Sequence, residues 1–473
     1  MRKLPAALAL IPAVALVSSC SGSGGPAAVG GGAAPAVDAA AGPAAQTKVK
    51  VVASGLGDPF EIAYAPDGKL WVTEKSGLKV TRVDPRTGAK STALDLSGKA
   101  FHTKEDGQDG VLGFALHPDF GKGKGKGKGH DHVYLAYTYK QGGASATKIV
   151  RYTAKDGKLS GEQEILTGLP GNHQHQSARL RYGPDGKLYY AIGDQGHNYL
   201  TDFCKPNHAQ DLPTAGQVAK KDWSLYQGKI LRINLDGSVP SDNPKIGGAR
   251  SHIYAYGMRN PDGMDFSGTT LYTAENGPVT DDEFNRIEKG GNYGWPHVAG
   301  WKDDKSYVYS NWSKAKGGCA KLTFNPDPNS PPPEVPTTKE SSFTKAMVAP
   351  LGTYGTTRGN GHHFGTTKVC PDANSAYMCW PTMAPGSLKV AGGDVLVTSM
   401  KNGTVFKVSK DGKSYKELYR TQNRYRDVAL SPDGRTLYIT TDKEGQHMVR
   451  GEGGKPTTHL ANPGAIIAVP YHR

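Results

Sequence analysis

The chain has 473 residues, enough for one large all-β domain or two to three smaller ones. Its 62 Gly, 32 Pro and 23 Tyr against 11 Phe, with a mean hydropathy of −0.53, argue for many turns feeding short Tyr-rich strands and against a helical architecture. The formal net charge of +14 suits an anionic small ligand or an acidic envelope surface, and the export signal described next argues against nucleic acid as a partner.

Residues 1–20, "MRKLPAALALIPAVALVSSC", have a basic start, a short apolar core and small residues before Cys20. That is the form of a secretory signal, too short for a comfortable membrane span. "VSSC" matches a bacterial lipobox, in which Cys20 becomes the lipidated first residue; the alternative is a plain signal peptide with an incidental cysteine. Residues 21–47 form a Gly/Ala/Pro tether without the apolar side chains needed to offset ordering entropy. The folded domain is expected over 48–473, exported, and held at the cell surface or in the periplasm by a lipid on Cys20 or else secreted. Contact with the membrane is expected only through that lipid. Export permits disulfides: Cys370 and Cys379 are near enough in sequence to close a small loop, while Cys204 and Cys319 stay open as free or paired.

Further along, "GKGKGKGKGHDH" at 121–132 has no apolar content and reads as a loop insertion. Around it one phrase recurs: "APDGKLWVTE" from Ala65, "GPDGKLYYAIGD" from Gly183 and "SPDGRTLYITTD" from Ser431. Looser copies are "HPDF" at His117 followed by "HVYLAYTY", "SGTTLYTAENG" from Ser267 and "AGGDVLVTSMKNG" from Ala391. Each is a turn feeding a short alternating apolar run, the pattern of a strand with one face buried. Six such units over about 400 residues predict a six-bladed β-propeller with four-stranded antiparallel blades. Chemistry on that fold belongs to the loops at one mouth of the channel. Glu74, Asp194, Glu275 and Asp442 end copies of the phrase, and either face that mouth or merely end their strands.

Five stretches stand out from the repeat. "GNHQHQSARL" holds His173 and His175, and an imidazole is the natural general base near neutral pH. "YGMRNPDGMDF" places Arg259 and Asn260 before a proline, in an extended or turn conformation, with a guanidinium suited to carboxylates. In "NRYRDV" Arg424 and Arg426 alternate, so on a strand they make a two-pronged anion clamp; Lys401 ends a strand in "SMKNG". The remaining stretch, "ENGPVTDDEFNRIEKGGNYGWP", couples a Gly-Pro corner to Asp281, Asp282 and Glu283. It reads as a surface turn or as an oxygen-rich site for a hard cation such as Ca²⁺.

Longer phrases carry a resemblance: "DGQDGVLGFALHPDF", "HQSARLRYGPDGKLYYAIGDQG", "GKILRINLDGSVPSDNP", "SHIYAYGMRNP", "GPVTDDEFNRIEKGGNYGWPHVAGWKDD", "YMCWPTMAP" and "NRYRDVALSPDG". In this order they resemble the soluble glucose and aldose dehydrogenases that depend on calcium and pyrroloquinoline quinone (PQQ), and the likeness runs from about residue 50 to the C-terminus. The resemblance implies that His175 is the catalytic base and Asp194 the carboxylate that orients it. It implies that Arg259 and Asn260 lie at the quinone, and that Lys401, Arg424 and Arg426 hold the carboxylates of PQQ. Gln108, Gln174 and Trp380 fall at sugar-contacting positions, and Tyr377 and Thr382 where the cofactor pocket is lined. The carbonyls of Gly277 and Pro278 match ligands of the Ca²⁺ that PQQ chelates. Glu283, Tyr293, Ala299, Trp301, Asp303 and Glu340 match ligands of further, structural calcium, and Cys370 and Cys379 a short-loop disulfide.

Activity then follows as an expectation: C1 oxidation of an aldose to the lactone, with electrons passed to an external acceptor. Gln174 stands where the glucose enzymes carry aspartate, and Asp262 replaces a glutamine, so the preferred sugar is open. The alternatives are the same chemistry on another aldehyde or oligosaccharide, and a non-catalytic propeller that binds a sugar or a protein partner. Oligomeric state, a homodimer among the options, is not legible.

Overall fold

The structure, a computed structural model, describes residues 49–104, 107–122, 131–305, 307–325, 330–355, 378, 380–443, 448–451 and 455–472. Six four-stranded antiparallel sheets make the six blades of a β-propeller. Blade 1 is Pro59–Tyr64, Leu70–Glu74, Lys79–Val83 and Lys90–Asp95, and blade 2 is Val111–Leu116, His132–Gln141, Ala144–Lys155 and Lys158–Pro170. Blade 3 is Ser177–Tyr182, Leu188–Ile192, Lys229–Ile233 and Ile253–Tyr256, and blade 4 is Gly263–Ser267, Thr270–Glu275, Asp282–Ile287 and Gly352–Tyr354. Blade 5 is Pro385–Ala391, Asp394–Ser399, Thr404–Val408 and Tyr415–Arg420. Blade 6 takes Tyr425–Leu430, Thr436–Thr441 and Ile466–Pro470, and its outer strand is Lys50–Ala53, with Lys50 opposite Ala468. The ring is therefore closed by pairing the two ends of the folded region, a detail the repeat count left open.

Every one of the six recurring phrases is the hairpin between the first and second strands of a blade. The cause is visible in blades 1, 3 and 6. There the Asp side chain accepts the N–H two residues on (Lys69, Lys187, Arg435), and the glycine between supplies the left-handed residue at φ of 75°, 72° and 70°. Burial then falls outwards: Leu70–Glu74, Leu188–Ile192 and Lys229–Ile233 are buried throughout, whereas Lys90–Asp95 is mostly exposed. Inner strands lie between neighbouring sheets and so carry apolar residues on both faces. Leu112, Tyr134 and Ile149 of blade 2 thus pack with Leu180, Tyr190 and Leu231 of blade 3.

First strands begin irregularly. In five of the six blades the register shifts there, between Pro59 and Ile62, Val111 and Phe114, Ser177 and Leu180, Pro385 and Ser387, and Tyr425 and Asp427; blade 4 pairs without a shift. Such bulges re-aim side chains at a rim. Long connections leave blade 3 over 193–228, with the five-residue helix Ala215–Ala219, and blade 4 over 288–351. A disulfide between Cys204 and Cys319, with Cα atoms 5.5 Å apart, joins the two and settles the pairing left open above. Among the described residues no helix is long and apolar enough to cross a membrane. The signal segment with Cys20, the tether, residues 123–130, Tyr377, Cys370 and Cys379 lie outside the described residues.

Candidate active site

In an antiparallel blade the start of the first strand and the end of the second lie at the same edge. His175, Arg259, Asn260, Thr382 and Arg424 precede first strands, Arg426 is the second residue of one, and Asp194, Asn276, Gly277, Lys401 and Asp442 follow second strands. The topology alone gathers them on one rim. At its centre a small cavity is lined by Phe60, Lys75, Gln108, Ser177, Asp262 and Arg426, contributed by blades 1, 2, 3, 4 and 6 or their leading loops.

His175 is buried, and its Nδ1 lies 2.7 Å from Asp194 Oδ1. A carboxylate only accepts, so Nδ1 carries the proton and Nε2 keeps its lone pair. Asp194 is saturated in turn: Oδ1 also accepts the Gly196 N–H at 2.9 Å, and Oδ2 accepts Trp295 Nε1 at 2.7 Å and Asn207 Nδ2 at 2.9 Å. Burial pushes Asp194 up, but His175 and Arg259 outweigh it and hold the carboxyl below its ordinary value. Burial, with Arg259 nearby, depresses the His175 pKa despite Asp194, which keeps the imidazole neutral. The backbone here is strained: His175, Ser177 and Ala178 sit at φ of 45°, 52° and 65°, which costs about 1–3 kcal/mol per residue and gathers at functional sites.

Arg259 crosses this site. Its guanidinium lies 5.0 Å from the Tyr199 ring centre and 5.5 Å from Trp295, and the Tyr199 ring stacks on His175 at 5.5 Å. Nη1 donates to Asn276 O at 2.9 Å, whereas Nε, buried, has no partner among the described residues. Asn260 Oδ1 accepts from Ser177 Oγ at 2.8 Å. Next along the rim, after the second strand of blade 5, Lys401 donates to Trp380 O at 2.5 Å and to Thr382 Oγ1 at 3.3 Å; burial, partly offset by Asp282, lowers its ammonium to about 7. Arg424 and Arg426 do reach the same way, but not as an open clamp. Both bind Asp442, from Nε at 3.0 Å in each case, so the anion they require is built in. Lys75, which sequence reasoning passed over in favour of Glu74, reaches the cavity and donates to Gly107 O at 2.8 Å. Glu74 instead ties Gly57 and Thr81 within blade 1.

Gln108 lines the cavity and is held by its own N–H to His173 O at 2.8 Å; Gln174 is half-buried beside Gly196. Asp262 is buried, which raises it to about 6. The Gly-Pro corner is a tight turn, since a Cβ on Gly277 would fall 2.0 Å from Thr280 O. No described residue donates a hydrogen bond to the carbonyl of Gly277 or Pro278. Beside them burial raises Asp281 to about 8, Asp282 to about 6 and Glu283 to about 7, and lifts Glu275 well above its ordinary value. Unpaired carbonyls among carboxyls that burial leaves short of positive charge are a donor set for a hard cation.

Part of the other set expected around calcium is gathered by the 299–304 backbone, where Glu340 also accepts the Asp303 N–H at 3.3 Å. Glu283 accepts Gly300 N–H at 2.7 Å, and Glu340 accepts Ala299 N–H at 3.0 Å and Asp304 N–H at 2.9 Å. The Tyr293 hydroxyl is taken by Arg286 O and the Glu288 N–H. Asp303 lies at the surface against Lys305, and Trp301 is 42% exposed. Among the described residues no three His, Cys, Asp or Glu side chains converge as metal ligands.

Comparison with known proteins decides the family. The sequence model of the Glucose / Sorbosone dehydrogenase family matches residues 56–331. The chain belongs to that family. Like its family, this dehydrogenase is an oxidoreductase. It is 40% identical over 449 residues to quinoprotein glucose dehydrogenase B of Acinetobacter calcoaceticus, covering 89% of this chain and 90% of the relative. To aldose sugar dehydrogenase YliI of Escherichia coli it is 28% identical over 418 residues, 86% of this chain and 93% of that one. Among solved structures, the PQQ-bound aldose sugar dehydrogenase of Streptomyces coelicolor shares the fold of this dehydrogenase, with a TM-score of 0.57 and 22% identity, over 89% of this chain and 97% of that one. Asn207, Tyr199 and Trp295 are neighbours of Asp194 and His175 that sequence reasoning missed. Trp295 is 101 residues from Asp194, and nothing in its local pattern announces that contact.

Proposed function

We propose that this dehydrogenase oxidises an aldose at C1 to the lactone with PQQ and Ca²⁺ bound at the rim, and passes the electrons to an external acceptor. The observation that carries the reading is His175, buried and neutral, with Nδ1 fixed by Asp194 and Nε2 left as base beside Arg259, whose Nε has no partner among the described residues. The residues present fit both groups. Lys401, Arg424 and Arg426 bring three positive charges against the single Asp442 carboxylate that the two arginines share, and the excess suits the carboxylates of PQQ, with Thr382 and Asn260 lining its pocket. The carbonyls of Gly277 and Pro278 supply neutral ligands for Ca²⁺ beside the buried acids. Bound PQQ supplies a two-electron sink, polarised by Ca²⁺ as a Lewis acid.

The rest is work for the chain. His175 Nε2 takes the proton of the anomeric hydroxyl as hydride leaves C1. Asp194 holds the imidazole in one tautomer and stabilises its protonated form. Arg259 offers Nε–H to an oxygen that gains negative charge. In this reading Gln108, Gln174 and Trp380 contact the sugar, and Gln174 and Asp262 set its preference. Export on a lipidated Cys20 would bring the domain to its sugars outside the cytoplasm.

The test is dye-linked oxidation of a sugar panel by residues 47–473, apo and then reconstituted with PQQ and Ca²⁺, beside His175→Ala. Activity that appears only on reconstitution and is lost in the variant is the expected result. A folded protein that fails to bind PQQ would sink the reading and leave a sugar- or partner-binding propeller.

A further inference from the structure

Asp194 holds one edge of His175; the face of the imidazole meets a ring from a long connection. Tyr199 stands in the 193–228 connection, and its ring stacks on His175 with centres 5.5 Å apart and planes 28° apart. The Arg259 guanidinium lies 5.0 Å from the same ring centre. One aromatic side chain thus touches both the base and the cation beside it.

The backbone is strained to put it there. Asn198 and Leu200, on either side, sit in the left-handed region at φ of 65° and 43°, while Tyr199 between them is extended at φ of −150°. A leucine is uncommon in that region, and such strain persists where the surroundings over-determine it. Those surroundings come from the other long connection, over 288–351. Asn198 Nδ2 donates to Ser310 O at 2.9 Å, and its Oδ1 accepts the Trp312 N–H at 2.8 Å. Phe324 meets the Tyr199 ring nearly at right angles at 5.3 Å, and packs in turn on Trp312 at 5.1 Å and Phe203 at 5.7 Å. Cys204 follows Phe203 in the chain, and its disulfide to Cys319 lies in the same apolar cluster.

Two effects follow from the stack. The ring keeps water from one face of the imidazole, and burial is the largest influence on His175, ahead of Arg259, Asp194 and His197, the charged and titratable groups that act on it. Its π face also attracts a guanidinium, which fixes Arg259 against the base. We propose that Tyr199 is a positioning residue for the base, setting the plane of His175 and the place of Arg259, and that the Cys204–Cys319 disulfide reaches the active site through it. The effect on turnover rests on the dehydrogenase reading; the effect on the imidazole does not.

Two readouts test it on the protein with and without PQQ and Ca²⁺. NMR titration with ¹⁵N-labelled histidine, assigned by His175→Ala, follows the imidazole directly, and steady-state kinetics on the best sugar of a panel follows turnover. Tyr199→Ala opens the ring face to water, so the His175 midpoint should rise toward the ordinary 6.5. Its kcat should fall about 10–100-fold, as misplacement of a reacting group implies, with KM changed less. Tyr199→Phe keeps the ring and should match the wild type. Cys204→Ala combined with Cys319→Ala should move both readouts the same way by a smaller amount. Melting temperature checks folding; if Tyr199→Ala does not fold, Phe324→Ala, which removes only the support, makes the same test. Folded variants with midpoint and kcat unchanged overturn the proposal, and an unchanged double-alanine variant overturns the part given to the disulfide. A higher KM with midpoint and kcat held also overturns it, because Tyr199 is then a sugar contact. A midpoint that moves in a protein without PQQ-dependent turnover refutes the dehydrogenase reading and leaves Tyr199 as the residue that sets the imidazole.

Discussion

Two groups of buried acids meet the same rim and are solved in opposite ways. Asp194 and Asp442 lie among donors and cations: His175 and Arg259 around the first, Arg426 and Arg424 around the second. Burial pushes both carboxyls up, yet these partners hold them below their ordinary values. Glu275, Asp281, Asp282 and Glu283 are buried as deeply, and there burial wins. The difference is not depth but company. The first group is finished by the chain itself and fixes side chains in place. The second has four carboxyls against two cations, Lys401 beside Asp282 and Arg259 beside Glu275, and an ion would supply the missing charge.

The largest expected break of that contrast is Asp194→Asn. An amide can donate to Nδ1 and turn the imidazole to the wrong tautomer, so kcat/KM with saturating cofactor should fall by about 10³–10⁴-fold while PQQ affinity stays. Asp442→Asn comes next. It leaves two buried guanidinium groups without their charge partner, and unfolding in denaturant should show a loss of about 3–5 kcal/mol. An unchanged midpoint would mean that the arginines find other anions.

Calcium tests the second group. At a hundredfold excess over its Kd it should stabilise the apo protein by about 2.7 kcal/mol, read as a rise in melting temperature that EDTA reverses. No rise would show that protonation alone completes these acids. The smallest effect is a pH profile. His175 has a folded pKa below 6.5, so activity should be level above that value and fall as pH drops through the lowered one. Stability follows the same sign, because the unfolded chain takes up the proton first. A fall already complete above pH 6.5 would contradict a buried neutral base.

Architecture was legible because it is written locally. In Asp67-Gly68, Asp185-Gly186 and Asp433-Gly434 the aspartate side chain and the left-handed glycine close a hairpin locally, so six turn phrases count six blades. Residue types at the rim were legible for the same reason: His175 and Arg259 sit in distinctive phrases next to strand starts. Their partners were not. Asp442 was open between facing the mouth and ending its strand until the fold set it between Arg424 and Arg426. Trp295 and Asn207 converge on Asp194 from separate connections, and Cys204 meets Cys319 across 115 residues. Local pattern reports which groups are present; only closure of the ring reports which ones meet.

That closure has a kinetic side. Lys50–Ala53 pairs with Ile466–Pro470, the last strand of the propeller in chain order. During synthesis blades 1 to 5 emerge in turn, while the first strand waits with an open edge for a mate still inside the ribosome. Long-range pairing of this kind folds slowly and is exposed to wrong partners until it is complete. Secretion before folding would let both ends meet in one compartment, with the latch thrown only after the whole chain has crossed.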